Sequence, residues 1–113
     1  MAEFVEFTEI DDVRYAVVRI REIERLNRLF SKLLEFIDSI PFLSSDEVND
    51  IAGIIAYGYD EYVREMIRRM YRVENVCLDE GTPDECEAYV VSEEPDRIMF
   101  SPEVYIREDK YKG

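Results

Sequence analysis

The spacing of apolar residues along this chain changes period twice, and that change constrains the fold more than any other feature. Residues 3–10 (Glu-Phe-Val-Glu-Phe-Thr-Glu-Ile) and 13–20 (Val-Arg-Tyr-Ala-Val-Val-Arg-Ile) are rich in β-branched and aromatic residues. Such residues suit a pleated, half-buried surface. Asp11-Asp12 stands between the runs as a turn, so a β-hairpin is the first reading. The second reading starts the following helix at Val13 and makes it nearly 30 residues long.

From Arg21 the period becomes helical. Ile23, Leu26, Phe30, Leu33, Ile37 and Ile40 recur at three- and four-residue steps, the apolar stripe of an amphipathic helix. Pro41 ends it. Ser44-Ser45-Asp46-Glu47 reads as a capping box, with Ser44 and Glu47 satisfying each other's backbone donors. The helix it opens places Val48, Ile51, Ala52 and Ile55 inward and stops at Gly58. Asp60 then caps a third helix with Val63, Met66, Ile67 and Met70 on its inner face. Beyond Val73 the pattern returns to strand at Val76–Leu78, Cys86–Val91, Arg97–Phe100 and Val104–Ile106. Asp79–Glu85 and Ser92–Asp96 are turns between them. The expected core is Ile23, Leu26, Phe30, Leu33, Ile37, Val48, Ile51, Ile55, Val63, Ile67, Met70, Val90 and Met99.

With 113 residues, 47% of them apolar, the chain fits one domain and has enough apolar surface for a core. It has no histidine, which excludes His-based triads, His metal sites and imidazole switches. Serines 44, 45, 92 and 101 therefore lack an activating base of that kind. The loop acids Asp79, Glu80, Asp84 and Glu85 do not follow EF-hand spacing. The glycines form no phosphate-cradling loop. No metal, cofactor, small-molecule substrate or enzymatic activity is expected. No apolar run is long enough for a bilayer, and the N-terminus has no secretory pattern, so the expected compartment is the cytoplasm. Glutamine is absent and asparagine occurs three times, while Arg and Glu are abundant. That bias points to a hyperthermophilic source. In such a cytosol Cys77 and Cys86 read first as a structural disulfide, second as free thiols and third as a redox pair.

The order of long helix, short capped helix, turn at Gly58, third helix and β-hairpin over Arg21–Phe100 resembles the winged helix-turn-helix fold. The stretch Pro83-Asp84-Glu85-Cys86-Glu87 is similar to part of small proteins of this type encoded by viruses of hyperthermophilic archaea, which carry a disulfide beside the wing. The resemblance implies an α+β fold of three helices plus a C-terminal β-hairpin wing, preceded by the N-terminal hairpin or helix extension. Residues 1–20 would be that extension, 21–106 the winged-helix-like domain and 107–113 a polar tail that frays. It makes Ser45–Ala56 the positioning helix, Tyr62–Arg72 the recognition helix and residues 86–100 the wing. It further implies a DNA-binding regulator, a homodimer reading paired half-sites, in the host cytoplasm if viral.

Two basic rows would serve DNA. Arg64, Arg68 and Arg72 lie four apart, with Arg69 beside them, and guanidinium forks suit phosphate and guanine. Arg21, Arg25, Arg28 and Lys32 form a second row opposite the core stripe of the first helix. The competing reading for both is a solvated face, with pairs such as Glu61–Arg64, Glu22–Arg25 and Glu24–Arg28. Charge is distributed unevenly: net +4 over residues 13–32, −8 over residues 73–113 and −13 overall. The wing tip carries Glu93, Glu94 and Asp96, which would repel phosphate. The alternative function is therefore an acidic protein-interaction module, or nucleic-acid mimic, that binds a basic protein through Glu93, Glu94 and Asp96. The cationic row could also meet the acidic half of a second copy.

Overall fold

A computed structural model describes residues 2–79, 81–94 and 97–111. Strands β1 (Ala2–Ile10) and β2 (Val13–Ile20) form the N-terminal hairpin. Asp11 and Asp12 both take positive φ, at 51° and 65°, which matches the twist of a two-residue hairpin turn. The hairpin is no appendage. β2 pairs antiparallel with β7 (Glu103–Arg107), which pairs with β4 (Ala88–Val90), which lies parallel to β3 (Val76–Leu78). The sheet order is β1-β2-β7-β4-β3, leaving β1 as an edge. A second, two-stranded sheet joins β5 (Ser92–Glu94) to β6 (Arg97–Phe100).

Helix α1 (Arg21–Asp38) leaves β2 without a loop, and helix α2 (Ser45–Tyr71) returns antiparallel to it. The capping box forms as the sequence predicts: Ser44 Oγ accepts from Glu47 N at 3.2 Å and Ser44 N donates to Glu47 Oε1 at 3.1 Å. The helices cover one face of the sheet. Ile23 and Phe30 of α1 and Ala56, Tyr59, Val63 and Ile67 of α2 pack on Val18, Ile20, Val76, Ala88, Val90, Val104 and Ile106. On the opposite face Tyr15 and Tyr89, with ring centroids 5.3 Å apart, close over Cys86. The far end of the helical pair projects from this body. The molecule measures 51 × 25 × 21 Å, and Phe42 in the connecting loop is 85% exposed. Among the described residues no helix is long and apolar enough to cross a membrane.

The winged-helix expectation is overturned. The described residues form two helices, a five-stranded mixed sheet and a two-stranded sheet, an α+β arrangement without the helical trio. The expected second and third helices are one 27-residue helix that runs straight through Gly58. Glycine inside a helix costs only about 1 kcal/mol relative to alanine. Breaking at Gly58 would pull Tyr59 off Phe30, whose ring it stacks on at 4.5 Å, and misalign Val63 and Ile67. Asp60 caps nothing and instead meets Arg64 at 2.9 Å. The expected wing is divided as well, since β4 belongs to the main sheet while β5 and β6 form their own. Ser92–Glu94, expected as turn, is strand. The expected frayed tail is partly ordered: Arg107 completes β7, and Tyr111 stacks on Phe4 at 5.7 Å. Leu33 and Met70, placed in the core by their spacing, are exposed.

Candidate interaction surface

The arginine row that would define a recognition helix is tied up within α2. Arg64 pairs with Asp60 and, at 2.8 Å, with Glu61, and its side chain is three-quarters covered. Arg68 Nε donates to the Glu74 carbonyl at 3.0 Å and its guanidinium reaches Glu65 at 3.4 Å. Arg69 shares the same Glu65 at 3.2 Å. Arg72 leaves the row altogether, because the helix ends at Tyr71 and Arg72 caps it with a left-handed φ of 54°. The structure therefore does not bring Arg64, Arg68, Arg69 and Arg72 together as one open cationic face. They form a Glu/Arg lattice of the kind that contributes a few tenths of a kcal/mol per exposed pair.

The row on α1 differs. Arg21 donates to Glu3 of β1 at 2.6 Å. Glu24, expected beside Arg28, is instead engaged by Arg19. Arg25, Arg28 and Lys32 are exposed; Glu22 interacts electrostatically with Arg25, and Arg28 shares a groove with Glu24, Glu93 and Glu103. Beside these cations, at steps of four and three, run Leu29, Leu33 and Phe36, all exposed, with Phe36 at 64%. Residues at i, i+4 and i+7 share one face of a helix, so these three form a second apolar stripe, turned away from the core stripe.

Helix α2 has a matching outward side. Ile54 (74% exposed), Tyr57 and Tyr62 all stand in solvent. At 100° per residue Ile54, Glu61 and Glu65 lie opposite the core residues Ala56 and Val63. Ile51, Ile55 and Tyr62 lie on the flank between. Polar contacts hold the layer from below: Asn27 Nδ2 donates to the Phe100 carbonyl at 2.7 Å while its oxygen accepts from the Tyr59 hydroxyl. Burial pushes that hydroxyl's pKa up to about 12, so Tyr59 stays a donor across the working pH range. The result is a helical layer fixed on the sheet side, whose solvent side sets exposed apolar residues between the α1 cations and the Glu/Arg lattice of α2. Isolated exposed leucines are ordinary, whereas contiguous apolar surface rimmed by charge marks an interaction site.

Of the acidic tip, Glu93 is exposed, while Asp96 and the Glu94 side chain lie outside the described residues. Cys77 and Cys86 form a disulfide across Cα atoms 5.7 Å apart, closing the loop between β3 and β4. Gly81, at φ 146°, lies so close that a Cβ there would collide with the Cys86 sulfur. Tyr89 donates to the Gly81 carbonyl at 2.6 Å and Tyr15 to the Cys86 carbonyl at 3.2 Å. Glu87 accepts from Glu74 N at 2.9 Å and Asn75 N at 3.1 Å and pairs with Lys110 at 3.2 Å. The Glu74 amide above all holds its carboxyl below the usual range. These contacts build the loop, and among the described residues no group of three Cys, Asp or Glu is placed to hold a metal.

Sequence reasoning singled out the α1 cations but not the apolar residues beside them. It assigned Leu33 to the core and left Leu29, Phe36 and Ile54 unused. The available signal was an apolar stripe one helical step off the core stripe. No protein-family model, curated protein or solved structure matches the chain.

Proposed function

We propose that this chain is a non-enzymatic protein-interaction module that docks through the outward layer of its helical pair. One observation carries the reading: Leu29, Leu33, Phe36, Ile54 and Tyr62 stand exposed on two packed helices, beside the exposed cations Arg25, Arg28 and Lys32. Burying such a layer stabilises a complex by roughly 25 cal/mol per Å² of apolar area removed from water. The aromatic rings supply large anchors with few rotors to freeze. The test is a photo-crosslinking residue placed at Phe36 or Tyr57 in the full chain, in its native cells, with Asp12 at the hairpin turn as the control site. Protein adducts at both helical positions and none at Asp12, with the joined peptides identified by mass spectrometry, support the reading. Absence of adducts, or adducts to nucleic acid alone, overturns it.

A second reading keeps the regulator of the sequence analysis in reduced form. Arg25, Arg28 and Lys32 are exposed, whereas Arg64, Arg68 and Arg69 are engaged within their own helix. A salt titration against random duplex tests it, since each neutralised phosphate contributes about one unit of slope in log affinity against log salt. A chain that binds no duplex at about 50 mM salt, where these contacts are strongest, removes the reading.

A further inference from the structure

We infer that a groove beneath the distal end of the helical pair binds a long cationic side chain, a lysine or arginine of a partner protein. The site is separate from the outward layer, because it lies on the side of the same two helices that faces β6. On α1 Leu34 and Ile37 carry the inward row past Phe30, and on α2 Val48 and Ala52 precede Ala56 at four-residue steps. The Phe30–Tyr59 stack at 4.5 Å marks the level beyond which both rows run. There Leu34, Ile37, Val48 and Ala52 line a groove of about 280 Å³ together with Met99 of β6. That is less than the roughly 300–1,000 Å³ of pockets for drug-sized ligands, and it suits a single side chain better than a cofactor. Glu35 and Asp38, one turn apart on α1, also line the groove, and both are exposed.

An apolar floor with two carboxylates beside it is the complement of an amphipathic cation. Lysine and arginine bury an alkyl stem on apolar surface and keep the charged head at its edge. Here the stem lies along Leu34, Val48 and Met99, and the head meets Glu35 and Asp38, where charge-assisted hydrogen bonds are short and strong. Two observations call for a cation from outside the chain. Among the described residues neither carboxylate is ion-paired, although Lys32 stands one turn before Glu35, and no Lys or Arg occurs between residues 33 and 63. Both acids also occupy the last turn of α1, which holds no basic residue. Carboxylates there face the negative end of the helix dipole, so α1 gains nothing from them. Asp46 and Glu47, by contrast, serve the cap and the positive dipole end of α2. The same charges select the class of occupant. Residues 33–59 carry five acids and no cation, which repels the phosphates of nucleic acid and of anionic lipid and favours a basic protein surface.

Methyl-resolved NMR of the full chain at low salt tests this, with the N-acetyl amides of lysine and arginine as probes and those of norleucine and glutamine as controls. The cationic probes should give saturable shifts at the Leu34, Val48, Ala52 and Met99 methyls, and the controls should not. Glu35→Gln combined with Asp38→Asn should weaken lysine binding about tenfold. Asp11→Asn combined with Asp12→Asn removes the same charge from the hairpin turn, where asparagine tolerates the positive φ, and should leave binding within about twofold. All four substitutions are at exposed positions and keep the side chain's shape, so folding is not at stake. Shifts that do not saturate, norleucine binding as well as lysine, or neutralised carboxylates that change nothing overturn the site. In its native cells, a photo-crosslinking residue in place of Val48 should join a peptide of another protein that carries lysine or arginine. Adducts to nucleic acid, to lipid or to a second copy of this chain, or none at all, overturn the partner protein as the source. Adducts at Phe36 and Tyr57 report on the outward layer alone, so either reading can fail without the other.

Discussion

Replacing Gly58 by alanine separates the observed helix from the one the sequence suggests, because the two arrangements give the effect opposite signs. As a helix-terminating residue Gly58 would sit in the left-handed region, where a Cβ costs about 1–2 kcal/mol. Inside α2 it has ordinary helical backbone, and a Cβ built on it meets nothing within 4 Å. Alanine there restricts the unfolded chain and adds no clash, which stabilises by about 0.5–1 kcal/mol. Gly53 has the same open surroundings and serves as an internal control that no reading places at a helix end. Unfolding entropy near 2.1 cal/mol/K per residue makes 1 kcal/mol equal to about 4 °C in a domain of this size. Gly58→Ala is therefore expected to raise Tm by about 2–4 °C, with Gly53→Ala matching it and the double variant near the sum. The measurement is urea and thermal unfolding followed at 222 nm. A fall in Tm for Gly58→Ala beside a rise for Gly53→Ala would refute the continuous helix and restore a break between residues 57 and 60.

Asn27→Leu strands the Phe100 carbonyl and the Tyr59 hydroxyl, both part-buried, and should lower stability by about 1–3 kcal/mol in urea titration. Adding Tyr59→Phe should recover part of that loss, and a strictly additive double variant would contradict the shared network. Converting Cys77 and Cys86 to serine opens a short loop and should cost about 2–3 kcal/mol on the chain-entropy account, seen as an earlier unfolding midpoint that reductant reproduces in the parent. Glu87 titrates below its ordinary value of 4.5 in the folded chain. Its contribution is thus fully present above that value and is lost as pH falls through the lowered pKa. Glu87→Gln should flatten the acid limb of the stability profile below pH 4.5, and an unchanged limb would show that the carboxylate does not act there.

The N-terminal half was legible wherever the deciding physics was local. β-Branched and aromatic runs over residues 3–20, an Asp11-Asp12 turn between them, a proline after α1 and a reciprocal Ser44–Glu47 cap each act over a few residues. Each formed as the residues predict. The C-terminal half was misread because its partners are distant in sequence. Val76–Leu78 and Ala88–Val90 look like the arms of a hairpin, yet they run parallel, and the antiparallel partner of β4 is the distant β7. Nothing in a three-residue strand announces which neighbour it will have. Gly58 shows the same conflict in one residue, where a local helix-stop signal of about 1 kcal/mol loses to the burial of Tyr59, Val63 and Ile67.

The site was half legible for a further reason. Apolar periodicity reports that a helix face avoids water, and a core and an interface both do that. Leu33 and Phe30 look alike in the sequence, and only the packing tells them apart: Phe30 meets Tyr59 within the chain, and Leu33 meets nothing comparable. Exposure carries the missing information. The guanidinium of Arg64 is three-quarters covered among Asp60 and Glu61, whereas Arg25, Arg28 and Lys32 stand exposed on α1, although Glu22 acts on Arg25. Exposed cations along a contiguous apolar stripe are the arrangement expected of a surface completed by another molecule.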